Sequence, residues 1–157
     1  MIDATRRTLL KGSLGAATVG VAVGAGLLSP RIVFADWPEA AFKATDQAAA
    51  LNDLLGSDAT ETSDKVKIKA PDIAENGAVV PVTVETDVEG VKSISIIAAG
   101  NQTPLIASFD LGENAIPFVS TRIKMAKTAD VVAVVQTADE LLSAAKPVKV
   151  TIGGCGG

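Results

Sequence analysis

The chain has 157 residues, 48% of them hydrophobic and 20% charged, which suits one folded domain and excludes wholesale disorder. It contains no His, no Tyr and a single Cys, Cys155. A Ser/His/Asp or Cys/His relay, a His-bearing zinc or haem site, an internal disulfide and a CxxC redox pair are therefore all excluded, and a net charge of −4 with 3% aromatics offers little to nucleic acid.

Thr5-Arg6-Arg7-Thr8-Leu9-Leu10-Lys11 follows the twin-arginine export pattern Ser/Thr-Arg-Arg-x-Phe-Leu-Lys, with Leu9 where Phe is commoner. Residues 12–28 carry no charge and are rich in Gly and Ala. Such a run is too weakly apolar for a stable membrane anchor, which needs about 20 strongly apolar residues. Val33-Phe34-Ala35 supplies the small residues a signal peptidase reads, so residues 1–35 are expected to be a cleaved signal peptide directing the protein to the periplasm. Its removal leaves 122 residues with ten bases against 17 acids, a net charge of about −7, which favours solubility and repels phosphate backbones; nucleic acid is not an expected partner.

Residues 36–152 form the expected body. Asp36-Trp37-Pro38-Glu39 has a capping carboxylate ahead of Pro, and Phe42, Ala48, Leu51, Leu54 and Leu55 recur at helical spacing until Gly56, which predicts one amphipathic helix. Residues 57–64 are polar; Asp58, Glu61 and Asp64 lack the Gly and terminal Glu of a calcium loop, and a solvated linker is expected. From Lys65 the hydrophobic period becomes two. Strands are predicted at 65–69, 80–84, 93–96, 105–109, 116–125, 131–136 and 148–152, separated by turn residues such as Glu75-Asn76-Gly77, Glu89-Gly90 and Gly112-Glu113-Asn114. Short strands at this spacing predict a mainly β protein, an immunoglobulin-like antiparallel β-sandwich with an N-terminal helix. Lys65, Lys67 and Lys69 lie on one strand face, where they keep an edge from pairing with other chains. Arg122, Lys124 and Lys127 form a second basic group able to steer an anion or an acidic partner to one end of the sandwich.

After the strand ending at Ile152 come Gly153, Gly154, Cys155, Gly156 and Gly157. Glycine visits all backbone regions and brings no side chain to pack, so this segment is expected to be a flexible, slim arm. Three residues from Ile152 to Cys155 extend on the order of 10 Å, enough to carry the thiol into a narrow channel of another protein. Set between two Gly pairs, Cys155 has no neighbours with which to form a core. The arm holds no cation that would draw the thiol towards thiolate. A handle activated by the enzyme it enters fits these residues better than a self-sufficient catalyst.

With its Gly-Gly-Cys-Gly-Gly terminus, twin-arginine leader, helix-then-strands body and length, the chain resembles the SoxY family, the sulfur-carrier subunits of the bacterial thiosulfate-oxidising (Sox) system. The resemblance implies that Cys155 is the covalent attachment site for sulfur intermediates and that Gly153, Gly154, Gly156 and Gly157 form the swinging arm. It implies a heterodimer with a SoxZ-like subunit. It also implies attachment of thiosulfate by the SoxAX cytochrome, release of sulfate by the SoxB hydrolase, and oxidation of the remaining sulfane sulfur by SoxCD where present. Haem and metal ions would belong to those partners, and this chain would bind no cofactor and catalyse nothing itself.

Two other readings remain open on the residues. One is a ubiquitin-like sulfur carrier acting through a terminal Gly-Gly carboxylate, which needs cytoplasmic ATP and sits poorly with an export leader. The other is a structural or binding module in which Cys155 ties two copies together by a disulfide.

Overall fold

The computed structural model describes residues 37–151. The leader with Arg6 and Arg7, and the segment with Gly153, Gly154, Cys155, Gly156 and Gly157, lie outside the described residues.

The N-terminal helical region is divided in two, α1 (Glu39–Lys43) and α2 (Gln47–Leu55), where one helix was expected. The break falls at Asp46, whose backbone is extended and whose carboxylate accepts the Ala49 N–H at 3.1 Å, starting a new helix. Gly56 ends α2 with φ of 78°, the left-handed value that glycine adopts without steric cost, and donates its N–H to the Asn52 carbonyl.

Nine strands follow among the described residues: β1 (Glu61–Thr62), β2 (Val66–Lys69), β3 (Ile73–Ala74), β4 (Val80–Thr86), β5 (Ser93–Ala98), β6 (Leu105–Asp110), β7 (Phe118–Ile123), β8 (Ala129–Gln136) and β9 (Leu141–Val150). They make two sheets, as a β-sandwich requires. One runs β1-β9-β8-β5-β6, with β3 also on β9; the other runs β2-β4-β7. The long strands pair antiparallel, whereas β1 and β3 join β9 in parallel. The antiparallel sandwich stands with these two short parallel additions at one edge, and Glu61–Thr62 corrects the expectation of a linker throughout 57–64. Glu61, expected in that linker, pairs with Leu142.

Strand β9 is longer than expected and contains Pro147, which faces Asp130 of β8. On its other edge β1 pairs at Leu142 and Ser143 and β3 at Lys149 and Val150. Pro147 falls in the gap between them, where no ladder donor is required.

Between the sheets Ile94, Ile96, Val131, Ala133, Val135 and Val148 meet Val80, Val82, Val84 and Ile123, all at most 2% exposed. This is the burial that period-two alternation encodes. The opposite face of the larger sheet is also covered: Ile97, Leu105 and Val134 pack against Ala41, Ala50 and Leu51 of the two helices. Strand β5 is therefore buried on both faces, and the serines that alternate with its isoleucines are enclosed rather than solvated. Ser93 bonds Gln136 and Ser95 bonds Ser108, each at 3.0 Å. Among the described residues no buried side-chain polar atom lacks a partner.

Strand β2 lies at an edge of the smaller sheet. Lys67 and Lys69 point outward there, and Lys69 pairs with Glu85 at 2.8 Å, an arrangement that discourages a further strand. No helix among the described residues is long and apolar enough to cross a membrane.

Candidate functional site

The foot of the expected arm is well built. Val150 pairs with Ala74 of β3, and its N–H donates to Thr128 Oγ1 at 2.9 Å. Thr151, the last described residue, donates its N–H to the Ala74 carbonyl at 3.1 Å. Among the described residues strand pairing ends at Val150, and a four-residue run from Thr151 to Cys155 can span about 14 Å at most. The strand was expected to continue to Ile152, which lies outside the described residues.

Three loops surround this foot: 75–79 before β4, 99–104 between β5 and β6, and 124–128 between β7 and β8. Register places them together, because Val80 opposes Ile123, Ala98 opposes Val131, and Ala129 opposes Val148. Loop 124–128 is clamped. The Asn101 amide donates to the Lys124 carbonyl at 2.7 Å and accepts the Ala126 N–H at 2.8 Å, and the N–H of buried Met125 reaches the Gly77 carbonyl at 2.7 Å. Gly100 leaves room for the Lys127 stem and for β8: a Cβ at Gly100 would stand 3.0 Å from Lys127 Cγ and 2.7 Å from Ala129 Cβ.

Charge is divided between the two ends of the sandwich. At the end of the foot stand exposed Arg122, Lys124, Lys127 and Lys149, none of them ion-paired within the described residues, against Glu75 and Asp130. Asp72 is matched by Lys146 at 3.1 Å. The far end carries exposed Asp87, Glu89, Asp110, Glu113, Asp139 and Glu140 against Lys65, Lys67 and Lys92. A cavity of about 650 Å³ opens at that acidic end, between residues 86–92 and 111–117, well away from the foot.

Of the residues singled out in the sequence, Arg122, Lys124 and Lys127 lie at the end where the chain leaves the sandwich. Asp58, Glu61 and Asp64 do not form a metal site, and among the described residues no three acidic side chains are placed to hold a metal ion. Sequence reading missed Lys149, Asn101 and Gly100 as parts of this end. Gly100-Asn101 carried a turn signal, but the loop it grips lies more than twenty residues further on.

The SoxY family, described as sulfur oxidation protein SoxY, matches residues 51–155, more than half of the chain and inclusive of Cys155. Among solved structures the sulfur carrier protein SoxY from Chlorobium limicola f thiosulfatophilum is 48% identical, covers 66% of this chain and 94% of its own, and superposes with a TM-score of 0.60. A superoxide reductase (neelaredoxin) from Ignicoccus hospitalis, 17% identical, covers 58% of this chain and 94% of its own with a TM-score of 0.51, a likeness of fold alone. No curated protein sequence matches. A family match over both sheets and up to the cysteine, with close identity to a solved member, places this chain in the SoxY family of sulfur oxidation proteins.

Proposed function

We propose that this protein is a periplasmic carrier that holds thiosulfate-derived sulfur covalently on Cys155 and presents it to the enzymes of the Sox system. The observation that carries the reading is the extent of the family match: it runs past the last strand among the described residues and includes Cys155, the chain's sole thiol. The 48% identity to a protein described as a sulfur carrier supports the same role.

In this reading Arg6 and Arg7 direct export, and Gly153, Gly154, Gly156 and Gly157 let the thiol enter partner active sites. Thiosulfate joins the Cys155 thiolate through a new S–S bond to give a cysteine S-thiosulfonate. The two electrons released pass to a c-type cytochrome of the SoxAX kind. Hydrolysis by a SoxB-like partner adds water across the terminal S–S bond, releasing sulfate and leaving a persulfide. A SoxCD-like partner, where present, oxidises the remaining sulfur. A SoxZ-like subunit completes a heterodimer. The carrier supplies no catalytic group, in keeping with a sequence without His, and the haem and metal ions of the cycle reside in the partners.

The test is intact-mass analysis of the exported protein after exposure to thiosulfate and the other Sox components. Adducts on Cys155 that disappear on reduction are expected, and Cys155→Ser should abolish both adducts and thiosulfate oxidation. Free thiol alone under turnover, or retained oxidation in Cys155→Ser, would overturn the assignment.

A further inference from the structure

Two loops at the acidic end, 87–92 and 111–117, are tied together at both of their ends and part in between. The Thr86 N–H donates to the Pro117 carbonyl at 3.2 Å, and the Leu111 N–H donates to the Lys92 carbonyl at 2.8 Å. Between these ties opens the cavity of about 650 Å³, lined by apolar Val88, Val91, Leu111 and Pro117 and by exposed Asp87, Glu89 and Glu113. A second hollow, of about 370 Å³, is lined by Leu55 and Leu141 and by exposed Glu61, Asp139 and Glu140. Exposed Ala138 lines both. Along the two hollows six carboxylates stand against one base, Lys92, and none of the six is ion-paired among the described residues.

An apolar wall inside a charged margin is the anatomy of a protein interface, a dehydrated anchor ringed by polar groups. Among the described residues no three of these carboxylates are placed to hold a metal ion, so the charge is spread along the surface and suits several spaced cations. The apolar walls suit a chain that also carries apolar side chains, and not a bare polyamine. We propose that the acidic end of the sandwich is a docking groove for a basic segment of a partner protein, with an apolar side chain in the larger hollow and lysine or arginine side chains over Glu89, Glu113, Asp139 and Glu140. Charge complementarity sets the sign of the partner and draws it in from a distance at low salt. Strand β9 starts beside this groove at Leu141 and ends at Val150, so a docked segment leaves the foot at Val150 and Thr151 uncovered. The inference goes beyond the carrier reading and does not rest on it.

The full-length chain is titrated with a capped heptapeptide of alternating Lys and Leu, and separately with the same peptide carrying Glu in place of Lys. The Lys peptide should shift the amides of residues 87–92, 111–116 and 137–141 saturably, and the Glu peptide should leave them in place. Glu89→Gln/Glu113→Gln/Glu140→Gln should weaken the Lys peptide roughly three- to tenfold at 0.1 M ionic strength. At 1 M salt, where the screening length is about 3 Å, that difference should vanish. Ala138→Arg sets a cation and a long side chain where the two hollows meet, and should abolish the shifts. All four positions are exposed, and unaltered amide positions elsewhere would show that the variants fold. Absence of saturable shifts with the Lys peptide, equal shifts with the Glu peptide, or binding that survives Ala138→Arg would overturn the proposal. Equal affinity for spermine, a cation without apolar side chains, would do the same. So would movement of these amides on dilution of the protein alone, which would put a second copy in the groove. No arm of the experiment involves Cys155, so it succeeds or fails independently of the mass analysis of the carrier cycle.

Discussion

Asn101→Ala should loosen the basic end of the domain while sparing the core. The Asn101 amide makes two short bonds to one loop, 2.7 Å to the Lys124 carbonyl and 2.8 Å from the Ala126 N–H. A net contribution of about 0.5 to 1.5 kcal/mol per bond sets an upper range near 3 kcal/mol. Asn101 is half-buried, and water can reach the groups left behind, so the loss should fall at about 1 to 2 kcal/mol. Urea unfolding would show this as a lower midpoint with an unchanged slope, because the surface exposed on unfolding is the same. Native-state amide exchange should locate it, with the Ala126 amide exchanging faster and the amides of Ile96 and Val134 in β5 and β8 unaffected beyond the global change. Asn101→Asp refines the test. It keeps the acceptor for Ala126 but sets a carboxylate against the Lys124 carbonyl, so it should destabilise at least as much as Ala. A loss below about 0.3 kcal/mol in Asn101→Ala, together with unchanged exchange at Ala126, would refute the view that this side chain holds loop 124–128.

Gly100→Ala should cost about 1 to 3 kcal/mol, read by thermal melting, because the new Cβ would sit 2.7 Å from Ala129 Cβ at the start of β8; an unchanged midpoint would mean that β8 gives way freely. Ile96→Ala, at a fully buried position between the sheets, should lose about 2 to 5 kcal/mol in chemical denaturation, and a loss under about 1 kcal/mol would mean that the core collapses onto the cavity. Asp46→Ala should remove about 1 kcal/mol through loss of the cap on α2, and restoration by Asp46→Ser would identify capping as the cause. Gly56→Ala should cost about 1 kcal/mol by backbone strain alone, since φ is 78° and no atom lies within 4 Å of the added Cβ; a larger loss in the melting curve would point to a contact instead.

Much of the body was legible because strand periodicity is a local property. Val80, Val82 and Val84, or Ile94 and Ile96, announce a buried face whatever lies opposite. The helix break at Asp46 was also a local signal, an acid three residues ahead of an amide it could cap, but it was overlooked within a continuous apolar pattern. Strands β1 and β3 could not be read in the same way. Two residues carry no periodicity, and Glu61–Thr62 and Ile73–Ala74 become strands only because β9 presents an edge to them. The strand at 93–96 was legible, but the burial of its serines was not. The structure buries both of its faces, because helices from forty residues earlier cover the side the serines occupy.

By itself the sequence determined the strand-rich body and singled out Cys155 between two glycine pairs, since composition, period and the absence of His do not depend on what packs against what. The tertiary structure decided which end of the sandwich the chain leaves from and which charges stand there. Lys124 and Lys127 lie in the loop between β7 and β8 and Lys149 on β9, and strand register brings them to one end of the sandwich while gathering acids at the other. Charge along a chain is a count, and it becomes a field with direction only when pairing assigns each residue to an end.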